Sequence, residues 1–397
     1  MINCVVGAGI LGLPGKVFAL AGDATGWVVG GAAMLASAAS LCLAELGSRM
    51  DGSGGPVQYC RVAFGPVAGF AAGWLSWAAT VLAAASLLNL FATLIAAEAR
   101  AVVVIATGTG LTLLAATGAG RSATASGALA VLKLALLAAV AIAGLDAPAA
   151  PAITPVTAVQ PASAVVLMFF AFVGFERPTA VAGEVVDARR SVPFALIVGM
   201  LAVTALYAGV IIACWRGVSD LAVSDRPVGE LAARLFGGGV SNLVNAAAAA
   251  IVFGTLASQW ITAPRLLLAL ADDGQLPTPL ARLSARRRTP DAAIAATAIV
   301  AVLLALAGDF VASVAASSAS RLLIFMGCAA ALLRLRRHPD APPARFILWG
   351  GSVIATCVIV ACAILLWAAS AELGRLGILV VIGGMLWLIS NRRWLSR

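Results

Sequence analysis

Residues Val5–Gly15 have the sequence VVGAGILGLPG, which places four glycines and a proline inside an otherwise apolar segment. In a helix interior, a glycine costs roughly 1 kcal/mol and a proline about 3 kcal/mol relative to alanine. In lipid there is no water for freed backbone groups, so irregular backbone is tolerated only where it is buried in protein or lines a cavity. We therefore predict a helix break at Val5–Gly15, the first break, whose backbone N–H and C=O groups can face a ligand.

A similar stretch lies near the middle of the chain, at Phe169–Pro178, with the sequence FFAFVGFERP. We name this stretch the second break. Broken helices at matching positions of two halves are typical of membrane transporters built from inverted repeats. The pair of breaks therefore predicts such a transporter. The alternative is that the glycines only allow close helix packing, as small residues do in membranes.

The composition restricts the class of protein. The 397 residues are 62% hydrophobic and 11% charged, with a mean hydropathy of +1.04, whereas soluble domains carry about 25% charged residues. We predict an all-α polytopic membrane protein. The net charge of +9 fits arginine-rich loops on one side of a bilayer better than a nucleic-acid surface.

The residues that usually carry chemistry are sparse. One histidine and seven cysteines lack metal-ligand spacing, so we predict no metal, no cofactor and no enzyme active site. The cysteines fall mostly in apolar segments and are expected to act as small hydrophobic side chains. The Gly-rich loop after the second span lacks a P-loop lysine, so a nucleotide site is not expected there.

Hydropathy divides the chain into apolar segments. Since a span needs about 20 apolar residues, about 12 transmembrane helices are predicted. Their approximate ranges are 2–21, 27–48, 67–97, 100–119, 122–145, 162–183, 193–214, 238–271, 290–307, 310–333, 346–369 and 373–391.

The loops predict orientation and organisation within one transmembrane domain. Most of the 26 lysines and arginines lie on the side of the N-terminus, which places both termini in the cytoplasm of a cell membrane. The proline-rich stretch 146–161 is predicted to be an external linker. It separates repeat one (1–145) from repeat two (162–333), and helices 11–12 follow at 346–391. Each repeat holds five spans, and an odd number of spans inverts the second repeat relative to the first.

Four blocks of sequence resemble the amino acid–polyamine–organocation (APC) superfamily, and in particular its amino acid permeases. The blocks are Gly7–Gly15, Leu41–Trp77, Phe169–Leu196 and Ala263–Leu283. The resemblance implies the leucine-transporter-type fold with a 5+5 inverted repeat and secondary active transport of an amino acid by alternating access. Asp187 is followed by Ala188 where the family usually has proline, and Asp272 stands where arginine is common.

The same resemblance implies a binding site for a zwitterion. The amides of Ala8, Gly9 and Ile10 are expected to bind the carboxylate, and the carbonyls of Val5, Phe170 and Val173 the ammonium. Gly174 completes the substrate-binding set, and the Phe170 ring is expected to cover the substrate. Few residues precede Gly7, so we expect a short first half-helix or additional residues upstream of Met1. Further pocket-lining candidates, with packing as the alternative role, are Trp74, Trp77, Asn89, Ser258, Gln259 and Ser317.

Two ionisable residues inside predicted spans are candidates for coupling and gating. Lys133 lies in the middle of span 5, where many APC permeases carry a lysine at the place of a sodium ion. Burial disfavours the charged form of lysine, which suits proton exchange. Glu176 follows the second break and resembles a family glutamate between the substrate site and a gate. Proton symport or exchange without sodium is therefore expected.

Other functions fit the same pattern. A polyamine or organic-cation exchanger would share the fold, although a polycation would favour more intramembrane acids than Glu176. An amino acid sensor with the permease fold would not transport, and we would expect it to carry a large cytoplasmic domain. The expected partners are an amino acid, the lipid bilayer and protons, without nucleic acid. The sequence leaves open the amino acid, the choice between symport and exchange, and the oligomeric state.

Overall fold

A computed structural model describes residues 5–7, 9–50, 54–118, 123–145, 160–180, 187–339, 341–370 and 373–390. Within these ranges the regular elements are all helical, as predicted. The α-helices are α1 (Gly9–Ala21), α2 (Thr25–Arg49), α3 (Gly55–Phe64), α4 (Pro66–Ala96), α5 (Arg100–Ala116), α6 (Ala123–Leu145), α7 (Pro161–Phe172), α8 (Arg177–Ala180), α9 (Ala188–Gly217), α10 (Pro227–Phe236), α11 (Gly238–Asp272), α12 (Asp291–Ala307), α13 (Phe310–Arg337), α14 (Gly351–Ala368) and α15 (Leu373–Ser390).

The chain is a multi-pass membrane protein. Six segments of the described chain are long and apolar enough to cross a membrane: Gly9–Arg49, Pro66–Ala96, Arg190–Gly217, Gly238–Asp272, Phe310–Arg337 and Gly351–Ala368. Shorter apolar helices occupy Arg100–Ala116, Lys133–Leu145, Pro161–Phe172, Asp291–Ala307 and Leu376–Ser390. The count of twelve spans and the inverted repeat stay predictions. Residues 146–159 of the expected linker lie outside the described residues.

The first break is shorter in the structure than the sequence predicts. Among the described residues of this stretch, only Val6 and Gly7 are not helical, and Pro14 lies inside α1. A proline removes one backbone donor, and transmembrane helices tolerate this where neighbouring structure surrounds them. Most of α1 is buried, which supplies such surroundings.

Gly15 serves packing rather than a break. A methyl group added at Gly15 would lie 2.6 Å from the carbonyl oxygen of Ser224 and 2.7 Å from that of Leu221. The 3-10 turn Leu221–Val223 therefore packs its backbone directly on α1. For this glycine, the alternative of close helix packing is the correct interpretation.

The described chain forms two compact units. The first comprises Met1–Gly69, Ala130–Ala248 and Leu322–Ala369, and the second comprises Phe70–Leu129, Ala249–Arg321 and Ser370–Arg397. In the first unit, α1 packs on α7, and α2 packs on α7 and α9. In the second unit, α5 packs on α12. The residues of both breaks therefore belong to the first unit.

A buried ion-pair cluster holds one end of α2 in the first unit. The Glu45 carboxylate has no exposed surface and accepts hydrogen bonds from Arg49 at 2.7 Å and from Arg336. It also accepts the amide N–H of Leu348 at 2.9 Å. Because breaking a buried pair leaves a charge uncompensated, such clusters fix the segments that contribute to them. Glu45 thus ties the segment between α13 and α14 to the end of α2.

The packing of Gly15 yields a stability prediction. We expect Gly15→Ala to lower the free energy of unfolding by about 1–3 kcal/mol, since its methyl group meets backbone atoms that have no room to move. The control is Gly30→Ala in α2, where an added methyl group meets nothing within 4 Å. The two variants are compared by thermal unfolding in detergent. Equal melting temperatures for Gly15→Ala and Gly30→Ala would contradict the packing role.

Candidate functional site

The first break leads into the N-terminus of α1. Because α1 begins at Gly9, the N–H groups of Gly9 and Ile10 have no partner within the helix. Gly9 and Ile10 are buried, and the ring of Phe170 lies directly against Gly9. A methyl group added at Gly9 would lie 3.0 Å from Cδ1 and 3.1 Å from Cε1 of that ring. The positive end of α1 is therefore covered by an aromatic side chain of α7.

The second break is a tight turn between α7 and α8. The Val173 N–H donates to the Phe170 carbonyl at 3.2 Å, which closes the end of α7. Gly174 follows with φ at +117°, a conformation that L side chains rarely adopt. Its N–H donates to the Glu176 carboxylate at 3.0 Å. Backbone carbonyls at the negative end of α7 thus face out of the helix beside the first break.

Tyr207 in α9 joins the two breaks. Its hydroxyl lies 3.1 Å from the carbonyl oxygen of Val5 and 3.1 Å from that of Ala171. The side chain is fully buried, and its ring makes an edge contact with Phe172 at 5.3 Å between centroids. A single hydroxyl proton is thus placed between carbonyls from both breaks. Sequence reasoning missed Tyr207.

A signal for Tyr207 existed in the sequence. The chain has only two tyrosines, and Tyr207 lies in the apolar run ALYAGVIIACW. A buried tyrosine hydroxyl usually finds a hydrogen-bond partner. Inside a span, backbone carbonyls that are not held within a helix are natural acceptors. The sequence does not indicate which carbonyls accept the hydrogen bond of Tyr207, because that depends on long-range packing.

Aromatic rings hold the second break in place within the first unit. Phe325 of α13 stacks on Phe175 at 4.8 Å between centroids and makes an edge contact with Phe169 at 6.0 Å. Such pairs are worth about 0.5–1.5 kcal/mol beyond the area they bury. The second break is therefore held by contacts with both α9 and α13.

The structure places the predicted substrate-site residues as follows. Val5, Gly9, Ile10, Phe170, Val173 and Gly174 lie in the first unit, at the two breaks. Ala8 lies outside the described residues.

The further pocket-lining candidates Trp77 and Asn89 lie in the second unit. Trp77 donates to the Thr297 hydroxyl at 3.2 Å, and Asn89 donates to the Ala305 carbonyl at 3.2 Å. Both contacts fit the packing alternative.

Lys133 lies in the part of α6 that belongs to the first unit. Its exposed fraction is 8%, so its side chain does not extend to water along the surface of the protein. The helix packs closely on α9, because a methyl group added at Gly209 would lie 3.0 Å from Cβ of Ala141. Lys133 and Tyr207 thus come from two helices in direct contact.

Glu176 has a local structural contact in addition to its predicted role. Its carboxylate accepts the Gly174 N–H, and its carbonyl accepts the Thr179 hydroxyl at 2.6 Å. Its charge also acts on the thiol of Cys328 in α13.

Over the described part of the chain, no group of three or more His, Cys, Asp or Glu residues could hold a metal ion.

The bridging hydroxyl generates a second stability prediction. Tyr207→Phe keeps the ring contact with Phe172 but removes the hydroxyl between two buried carbonyls, which we expect to cost about 1–3 kcal/mol of unfolding free energy. Ser317→Ala is the control, since the Ser317 hydroxyl donates to the Ala79 carbonyl at 2.7 Å within helical backbone. We expect that control to cost about 1 kcal/mol or less. An equal loss in both variants, measured by thermal unfolding, would contradict the bridging role.

Comparison with known proteins identifies the family. The family model described as amino acid permease matches residues 1–387. An uncharacterized transporter of Mycobacterium tuberculosis is 29% identical, covering 98% of this chain and 90% of its own. The branched-chain amino acid permease BcaP of Lactococcus lactis is 27% identical over 87% and 82%, respectively. The serine/threonine exchanger SteT of Bacillus subtilis is 25% identical over 77% and 74%. This chain belongs to the amino acid permease family of the APC superfamily.

Proposed function

We propose that this permease is a secondary active transporter that carries an amino acid across the cytoplasmic membrane by alternating access. The observation that supports it most is the meeting of the two breaks. The N-terminus of α1 and the C-terminus of α7 come together where the Phe170 ring lies against Gly9. An α-amino acid carries a carboxylate and an ammonium a short distance apart, and these two helix ends offer complementary partial charges.

The two ends can bind a zwitterion without charged side chains. Free N–H groups and the positive end of the helix dipole favour a carboxylate at α1, at the amides of Ala8, Gly9 and Ile10. The carbonyls of Val5, Phe170 and Val173 are the acceptors for the ammonium. The contact between the Phe170 ring and Gly9 supports the proposed role of that ring in covering the bound substrate.

The distribution of helices supports the 5+5 inverted repeat. In the second repeat, the expected counterpart of α1 is α7 together with α8, and that of α2 is α9. All of these helices fall in the first unit. The counterparts of α4 and α5 are α11 and α12, and most or all of each falls in the second unit. The helices of these four pairs thus share a unit, whereas α6 and α13 of the fifth pair are each divided between the two units. The arginine-rich loops favour cytoplasmic termini.

The relatives favour amino acids over polyamines as substrates. BcaP is a branched-chain amino acid permease, and SteT is a serine/threonine exchanger. We propose a neutral amino acid substrate of one of these two kinds. We also propose exchange or proton symport without sodium, and the burial of Lys133 in α6 supports this coupling. Glu176 is proposed to couple the second break to a gate.

The direct test is counterflow in proteoliposomes. Vesicles are loaded with one compound, and the same compound in labelled form is added outside. The compounds tested in turn are serine, threonine, leucine, isoleucine, valine and a polyamine, each in sodium or choline buffer. We expect labelled amino acid to accumulate equally in both buffers, and Gly9→Leu, whose side chain meets the Phe170 ring, to abolish it.

Three other results would each contradict part of the proposed function. Accumulation of a polyamine alone would overturn the amino acid assignment in favour of a cation exchanger. Accumulation that requires sodium would overturn the proposed coupling. Binding of an amino acid, detected by a raised melting temperature, without any counterflow would contradict transport and favour a sensor.

Lys133 yields a prediction about coupling. We expect Lys133→Ala to reduce transport and to remove its dependence on a pH gradient, because the ionisable group that we propose to exchange a proton in α6 is lost. The control is Lys16→Ala, the only other lysine, which forms an exposed ion pair with Asp225 at 2.6 Å. Such a surface pair is worth about 0–1 kcal/mol. Uptake is measured across a range of external pH, and an unchanged pH response in Lys133→Ala would contradict the coupling role.

A further inference from the structure

Two cysteines from distant parts of the sequence meet in the first unit. Cys60 lies in the short helix α3, and Cys328 lies in the spanning helix α13. Their exposed fractions are 5% and 1%, and the Cys328 thiol donates a hydrogen bond to the Cys60 sulfur. The backbone of α13 also lies close to the Cys60 side chain, because a methyl group added at Gly327 would lie 3.4 Å from Sγ of Cys60. Thus two thiols that are far apart in sequence are neighbours in the first unit.

The environment of Cys60 favours reaction. The hydrogen bond from Cys328 lowers the pKa of the Cys60 thiol below its ordinary value, although burial opposes this effect. A lower pKa increases the fraction of thiolate, and the thiolate is the nucleophilic form of cysteine. Among the described cysteines, Cys42, Cys214 and Cys362 are buried in spanning helices, and Cys357 is exposed.

The two helices that carry these thiols both contact the second break. Next to Cys60, the Tyr59 hydroxyl makes a hydrogen bond with Thr179, which lies in α8 after the turn. One turn before Cys328, Phe325 stacks on Phe175 of the turn. The Glu176 charge acts on Cys328 itself. A covalent bond between α3 and α13 would therefore fix the two neighbours of the second break to each other.

We propose that Cys60 and Cys328 form a redox modification site, and that a disulfide between them arrests the transporter. The oxidant is a hydroperoxide such as hydrogen peroxide. The loop that contains α3 is expected to face the cytoplasm, where disulfides are transient and regulatory rather than structural. The formation of the bond is independent of the proposed function, whereas the arrest of transport rests on it.

The chemistry proceeds in two balanced steps. The Cys60 thiolate attacks one peroxide oxygen, the O–O bond breaks, and the leaving hydroxide takes a proton to become water, which leaves a sulfenic acid. The Cys328 sulfur then attacks the Cys60 sulfur, the S–S bond forms, and the S–O bond breaks. The second hydroxide takes the Cys328 proton and leaves as water. Two thiols lose two electrons to the peroxide, and a small dithiol reverses the bond by exchange.

The test combines peptide mapping with uptake on the full chain. Protein in proteoliposomes is treated with hydrogen peroxide, its remaining thiols are alkylated in denaturant, and the digest is analysed by mass spectrometry with and without dithiothreitol. Uptake is measured on the same vesicles. The variants are Cys60→Ser and Cys328→Ser, and the matched control is Cys214→Ser, a buried cysteine of α9.

We expect a cross-linked peptide pair that contains Cys60 and Cys328, uptake that falls in proportion to the cross-linked fraction, and recovery of both with dithiothreitol. Cys214→Ser should behave as the wild type, whereas uptake by either pair variant should resist peroxide. Peroxide-treated wild type without the cross-link would overturn the modification site. A complete cross-link with unchanged uptake would overturn the arrest. If the protein shows no uptake before oxidation, the proposed function fails instead, and the cross-link still decides the modification site.

Discussion

Backbone groups that leave a helix inside a membrane must find another partner, and this constraint governs the first unit. Helical structure is interrupted in its interior at Val6–Gly7 and at Val173–Glu176, and lipid offers no hydrogen-bond partners for backbone groups released there. The structure meets the requirement partly with protein, through the Tyr207 hydroxyl between the Val5 and Ala171 carbonyls. The first N–H groups of α1 lack partners within that helix, which is why we propose the substrate there.

The surroundings of the breaks make this arrangement specific. Phe325 packs on the turn and Tyr207 binds the end of α7, while Gly9 leaves room for the Phe170 ring. The Lys133 side chain is buried in α6, which packs on α9. A neutral amino acid adds no net charge to such a site, whereas a polyamine would bring several positive charges into the membrane.

The sequence predicted the features that depend on local pattern. Long apolar runs predicted the all-helical membrane class, and the two Gly-rich stretches correctly marked the places where helices stop. The extent of the first break was wrong, because the tolerance of α1 for Pro14 depends on surrounding packing and not on propensity. The partners of Gly15 and Tyr207 and the proximity of Cys60 to Cys328 became apparent only in the structure, since each contact joins residues distant in sequence. The roles of the substrate-site residues, of Lys133 and of Glu176 stay predictions.

The most direct test of the account is hydrogen–deuterium exchange of the purified protein with and without a saturating amino acid that it transports. We predict slower exchange in peptides that cover both breaks, residues 5–13 and 169–177. The substrate is expected to accept hydrogen bonds from the N–H groups at the start of α1 and to order the turn after α7. Exchange in α15 should stay unchanged. If the ligand raises the melting temperature but neither break gains protection, the amino acid binds elsewhere, and the account of the site is wrong.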